Sequence, residues 1–189
     1  MGYCLHECPL SYTGDEYMKI SLKRPDEMME EQVMAYRALF LERGENANGS
    51  CGLRLCDKYT DWLDRVRKVS ANHVPDRTPS DTYCATNLDG QLLGMIDIRQ
   101  ELRPAHYDKG HIGYSVHPDW RGRGIATEML RQACMHCTRI GIMTVVMSCL
   151  CTNIASQRVI EKNSGILQYR FYSEGNYYFL YEIAATQHK

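Results

Sequence analysis

The sequence predicts one α/β domain, and three observations carry that expectation. Strand-like alternation and helix-like apolar stripes follow one another in the order β-α-α-β-β-β-α-β-α-β-β along 189 residues, a length that suits one domain with a continuous core. The stretch His111-Ile-Gly-Tyr-Ser-Val-His-Pro-Asp-Trp-Arg-Gly-Arg-Gly-Ile-Ala-Thr-Glu-Met-Leu130 reads as strand, glycine turn and helix start. A second passage from strand to helix follows around Thr144–Leu150 and Asn153–Gly165. Residues 1–16 are turn-rich without periodicity and read as an N-terminal tail, leaving 17–189 as the domain.

In chain order, Met18-Lys-Ile-Ser-Leu-Lys23 alternates apolar and polar residues like an edge strand. Pro25-Asp-Glu27 opens a helix, with proline at a tolerated first-turn position and acids near the positive end. Its apolar stripe is Met28, Met29, Val33, Tyr36, Leu39 and Phe40. Asn46-Ala-Asn-Gly-Ser-Cys-Gly52 is a loop by composition, and a second helix runs from about Cys56 to Ser70 with Tyr59, Trp62, Leu63 and Val66 on one side. Aromatics at that spacing are core residues first and substrate contacts second. Thr82–Thr86 and Gln91–Gln100 form a hairpin about Asn87-Leu-Asp-Gly90. A polar loop, Glu101–Gly110, leads into the 111–116 strand. Ile125, Met129, Ala133 and Cys137 mark the buried face of the next helix, which Gly141 ends. Leu167–Ser173 and Tyr177–Ile183 are aromatic-rich strands about Glu174-Gly-Asn176, and could supply a homodimer surface.

The 111–130 stretch also carries chemistry. A helix N-terminus exposes unpaired N–H groups at the positive end of the macrodipole, and glycines let the backbone approach a ligand closely. With Arg121 and Arg123 beside Gly122 and Gly124, this is an anion site suited to phosphate or pyrophosphate. A P-loop is excluded, because no Gly-x-x-x-x-Gly-Lys-Ser/Thr run occurs. A dinucleotide fingerprint is excluded too: its third glycine is Thr127, and the region about 20 residues on is the apolar Met143–Ser148 rather than an acidic ribose ligand.

Arg121-Gly-Arg-Gly124-Ile-Ala126 resembles the Arg/Gln-x-x-Gly-x-Gly/Ala signature of the GCN5-related N-acetyltransferases at every fixed position. Val116-His-Pro-Asp-Trp120 is similar to that family's lead-in, and Asn153–Gly165 to its next helix, which opens with Asn and closes with Glu-Lys-x-x-Gly. The resemblance spans Thr82 to Glu182, more weakly back to Met18, and is nearest to bacterial predicted acetyltransferases with a long helical N-terminal region.

It implies a splayed mixed sheet flanked by helices, acetyl-CoA as cosubstrate, and transfer of acetyl to a primary amine of a small molecule or peptide. Transfer would occur by direct attack in a ternary complex. On the same grounds Ser115 and Val116 would hold the pantetheine amides. The backbone of Arg121, Gly122, Arg123, Gly124, Ile125 and Ala126 would hold the pyrophosphate. Asn153, with Ser156, would line the pantetheine arm. The family often places a tyrosine seven residues after the asparagine, as acid for the leaving thiolate; here that residue is Ile160. Tyr114 is then a candidate acid, on a strand face that sequence does not fix, the alternative being that the thiolate leaves without a protein acid and takes its proton from water. His111 and Glu101 head the base candidates, ahead of His106, Tyr107 and His117. Arg99 and Glu101 could instead select a charged acceptor, and the segments 44–58 and 99–110 would shape the acceptor side. Other classes stay open: an acyl-CoA-binding sensor or partner-binding module without turnover, or O-acyl transfer.

Composition fits this reading. The net charge of −1 offers no argument for nucleic acid or an anionic membrane. No apolar run approaches the ~20 residues of a membrane span, and no signal peptide is visible, so the cytoplasm is the expected compartment. Nine cysteines invite a metal or disulfide reading, with Cys4/Cys8, Cys134/Cys137 and Cys149/Cys151 as the tempting pairs. Two of those pairs lie within a helix and at a strand end, where a reduced thiol acts as a small hydrophobe, so no metal is expected.

Overall fold

The computed structural model describes residues 19–185; the expected tail over 1–16, the domain start at 17, Met18, Cys4 and Cys8 lie outside them. The elements are β1 (Ser21–Lys23), α1 (Glu30–Glu42), α2 (Tyr59–Ser70), β2 (Ser80–Thr86), β3 (Leu92–Arg99), β4 (Ile112–Val116), α3 (Ile125–Arg139), β5 (Thr144–Leu150), α4 (Ile154–Lys162), β6 (Ile166–Ser173) and β7 (Asn176–Ala184). Their order is the predicted one. The boundaries move where caps intervene. Asp26 accepts from the Met28 N–H at 3.0 Å and caps a 3-10 turn, Glu27–Met29, so that α1 begins five residues beyond Pro25. Helix α2 begins at Tyr59 rather than Cys56 because Leu53, fully buried, anchors a separate 3-10 turn and Lys58 is extended.

The expected mixed sheet takes the form of two antiparallel sheets, in the orders β1-β2-β3-β4 and β5-β7-β6. Side chains alternate across them with the strand period of two. On β2 and β3, Ala85, Ile96 and Ile98 face a core shared with Ile125, Met129, Leu130, Ala133 and Cys137 of α3. Cys84 and Met95 face the opposite core, built from Tyr36 and Phe40 of α1 and Tyr59 and Trp62 of α2. The aromatic stripe is thus mainly packing, at roughly 1.5–3 kcal/mol per fully buried large side chain.

The two sheets are stitched at the start of β4. The His111 N–H donates to Val146 O at 2.7 Å, and the Val146 N–H donates to His111 Nδ1 at 2.9 Å. Gly110 makes this approach feasible: its φ is +65°, and a Cβ there would lie 2.6 Å from Val146 O. Beyond this clasp β4 and β5 diverge, and the opening between them holds the site.

Candidate active site

The donor-side half grows from the glycine turn. His117 Nδ1 accepts from the Asp119 N–H at 3.3 Å and starts a short 3-10 turn, Pro118–Trp120. Gly122 and Gly124 then take φ of +76° and +77°, with Gly124 capping α3. A Cβ on either would meet no protein atom within 4 Å, so these glycines serve the left-handed backbone and keep open space before the helix end. The first helical bond here, Glu128 N–H to Gly124 O at 3.1 Å, leaves the N–H groups of Ile125, Ala126 and Thr127 to point outward. They border a cavity of about 520 Å³ that runs along Ser115 and Val116 and reaches Arg158 and Lys162 of α4.

The two arginines of the turn are held sideways. Arg121 is ion-paired with Glu45, donates through Nε to Val116 O at 3.2 Å, and lies 5.7 Å from the Phe40 ring centre. Arg123 sits 4.7 Å from the ring centre of Trp120. The Val116 carbonyl is therefore already engaged. Ser115 faces α1: it accepts from Tyr36 Oη at 3.0 Å and donates to Asn48 O at 2.6 Å.

Tyr114, one residue earlier, faces the other way, toward α4. Its hydroxyl is buried beside Ser156, whose side chain acts to lower its pKa but does not outweigh burial. Burial pushes its pKa up to about 12. Asn153 caps α4, its Oδ1 accepting from the Ser156 N–H at 3.1 Å. Tyr114, Asn153 and Ser156 border both the donor-side cavity and a second one of about 470 Å³. Ile160, where a tyrosine was looked for, is fully buried in the core.

The second cavity lies between the splayed strands, walled by Asn46 and Asn48, by Met147–Leu150 of β5, and by Phe171 and Tyr178, whose rings stack at 5.5 Å. Arg99, Asp108, Lys109 and Glu174 supply its charges. Of the base candidates, His111 is 7% exposed and its Nδ1 is occupied by Val146. Burial lowers its pKa below the ordinary 6.5, the Val146 contact opposing and Arg99 reinforcing that shift. Glu101 borders neither cavity; it is exposed and paired with Arg103 at 2.7 Å. Tyr107 is exposed, His117 serves the turn, and the His106 side chain lies outside the described residues. Cys134 and Cys137 sit within α3, and Cys149 is buried on β5, where burial pushes its thiol up to about 11.

Phe171 and Tyr178 were not legible as site residues. Both belong to aromatic strands that read as a surface for a second copy. The only available signal was that their hairpin follows the second motif, since nothing in their spacing separates inward aromatics from the exposed Tyr169, Tyr172 and Tyr177. Among the described residues no helix is long and apolar enough to cross a membrane.

Solved structures share this architecture. RimJ of Mycobacterium smegmatis, determined with a CoA-disulfide, has 17% identity and a TM-score of 0.66, covering 88% of this chain and 82% of its own. The microcin self-immunity acetyltransferase MccE, determined with acetyl-CoA and AMP, has 14% identity and a TM-score of 0.66, over 87% and 92%. A chimera of Vibrio cholerae spermidine N-acetyltransferase SpeG with hSSAT has 12% identity and a TM-score of 0.58, over 88% and 95%. At such identities the likeness speaks for the fold. No curated protein matches the chain in sequence. The family model described as an acetyltransferase (GNAT) domain matches residues 15–164, most of the sequence, and the chain belongs to that family.

Proposed function

We propose that the protein is an acetyl-CoA-dependent N-acetyltransferase that moves the acetyl group to a primary amine by direct attack within a ternary complex. One observation carries this reading: the open N-terminal end of α3 borders one cavity, and Asn46, Tyr114, Asn153 and Ser156 line both that cavity and a second one beside it. Donor and acceptor can each occupy one cavity and meet at these shared residues. Holding two reactants this way supplies on the order of 7–11 kcal/mol of the barrier reduction.

The N–H groups of Ile125 to Thr127 bind the pyrophosphate, aided by Arg158 and Lys162, which line the same cavity, whereas Arg123 lies over Trp120 and does not line it. Arg121, held by Glu45, fixes the turn. The pantetheine arm runs along Ser115 and Val116, and Asn153 lines its path. The amine, having lost its ammonium proton to water, attacks the thioester carbon; the nitrogen gives its surplus proton to water as the C–S bond breaks and the sulfur leaves as thiolate, and the tyrosine that protonates the sulfur is itself reprotonated from water. Tyr114 is protonated at neutral pH and lines both cavities, and it is the side chain assigned to this transfer. His111 acts as the clasp of the splay rather than as base, because the nitrogen a base would use is engaged.

The test is thiol release from acetyl-CoA against amino acids, polyamines, aminoglycosides and peptides, with Gly124→Glu as control. Amine-dependent release in the wild type and its loss in Gly124→Glu are expected. Tight acetyl-CoA binding without release on any amine would replace this reading with the sensor alternative.

A further inference from the structure

Arg99, the last residue of β3, borders both the acceptor-side cavity and a smaller one of about 240 Å³ behind it. Its Nη1 donates to Gly110 O at 2.7 Å and Lys109 O at 3.3 Å, which fixes the plane of the guanidinium. Its Nε and Nη2 have no hydrogen-bond partner among the described residues, and neither is sealed from open space. No described carboxylate forms an ion pair with it. The acid whose charge acts on it is Asp97, opposed by the neighbouring Arg77; Asp97 Oδ1 accepts from Ser80 Oγ at 2.9 Å and Thr82 Oγ1 at 2.8 Å.

The other charges at this cavity are disposed differently. Lys109 and Glu174 face each other at 3.4 Å across the rim, whereas Asp108 accepts from Ser173 Oγ at 3.3 Å and is in no ion pair among the described residues, so the cavity also carries one unpaired acid. A half-buried guanidinium hydrogen-bonded only to carbonyls has its charge offset only in part by Asp97, and burial disfavours that state. Two free donors on one edge of a planar fork match the two oxygens of a carboxylate.

We infer that Arg99 binds a carboxylate on the acceptor, so that the substrates are amines bearing a carboxylate, such as amino acids, rather than simple amines or polyamines. This rests on the acyl-transfer reading and narrows its acceptor. It assigns the open edge of Arg99 to the acid and leaves the border at Tyr114 to the amine.

The experiment compares matched acceptors in the thiol-release assay: L-phenylalanine, L-methionine, L-threonine and L-lysine, each with its C-terminal amide and its decarboxylated amine. Wild type, Arg99→Gln and Arg99→Lys are assayed, and acetyl-CoA binding is measured by calorimetry on each. For at least one set, the wild type should favour the acid by on the order of ten- to a hundredfold in kcat/KM, mainly through KM. Arg99→Gln should bring that ratio close to one, with acetyl-CoA affinity unchanged. Arg99→Lys, which keeps charge but not the fork, should retain part of the preference. Release with amines or polyamines but no preference for acids overturns the inference and leaves acyl transfer standing. So does an acid preference that survives in both variants. No release with any amine overturns the acyl-transfer reading itself, and the inference falls with it.

Discussion

Replacing His111 separates a structural clasp from a catalytic base. In His111→Ala the Val146 N–H loses its acceptor in a buried place, which costs about 1–3 kcal/mol. The void left by a side chain 7% exposed adds on the order of 1–2 kcal/mol. At roughly 2–4 °C per kcal/mol for a domain of this size, Tm should fall by about 5–15 °C. His111→Gln is the informative partner, because its amide oxygen can accept from Val146 while the side chain cannot act as a base near neutral pH. Its Tm should stay within a few degrees of wild type, and kcat/KM within about tenfold. The assays are thermal unfolding with acetyl-CoA absent and steady-state thiol release. General-base loss costs typically 10²–10⁴-fold. A His111→Gln variant that melts like wild type yet loses activity on that scale would refute the clasp argument and restore His111 as the base.

Two further outcomes follow from the same geometry. Tyr114→Phe should lower kcat by about 10²–10⁴-fold if the hydroxyl delivers the proton, yet leave Tm nearly unchanged because, among the described residues, that hydroxyl's only hydrogen-bonding neighbour is Ser156; unaltered kcat would remove it as the acid. Stability should also respond to pH through His111. Its folded pKa lies below the unfolded 6.5, so the unfolded chain binds the proton first, and the contribution is whole above pH 6.5 and lost as pH falls toward the folded value. Melting curves between pH 7.5 and 5 should show a steeper loss in wild type than in His111→Gln, and equal slopes would contradict the assignment.

Much of the glycine turn and helix end assigned to the donor was legible in the sequence because backbone conformation makes it. Gly122 and Gly124 are needed for positive φ wherever they occur, a helix N-terminus follows from the Ile125/Met129/Ala133/Cys137 stripe, and both signals are local. The element order was legible for the same reason. What moved were helix starts, where Asp26 and Leu53 imposed 3-10 turns that apolar periodicity does not register. The faces of β4 were not legible. Tyr114 and Ser115 necessarily point to opposite sides, but which side meets α4 depends on packing against two cores.

The second cavity, proposed for the acceptor, is a different kind of object. Its wall combines Asn46 from the α1–α2 connection, Arg99 from the end of β3, Met147 from β5, and Phe171 and Tyr178 from the last hairpin. No pair of adjacent segments suffices, so no local spacing encodes it. Its chemistry depends on which charges remain uncompensated after the fold has paired the others. Arg99 and Glu101 illustrate this: both were candidates for reading a charged acceptor, two residues apart on one strand end. Glu101 turns outward to Arg103, whereas Arg99 turns inward and meets only carbonyls. A sequence can nominate both. Only the arrangement of their partners leaves one with charge to offer a substrate, and fold membership supplies none of that discrimination.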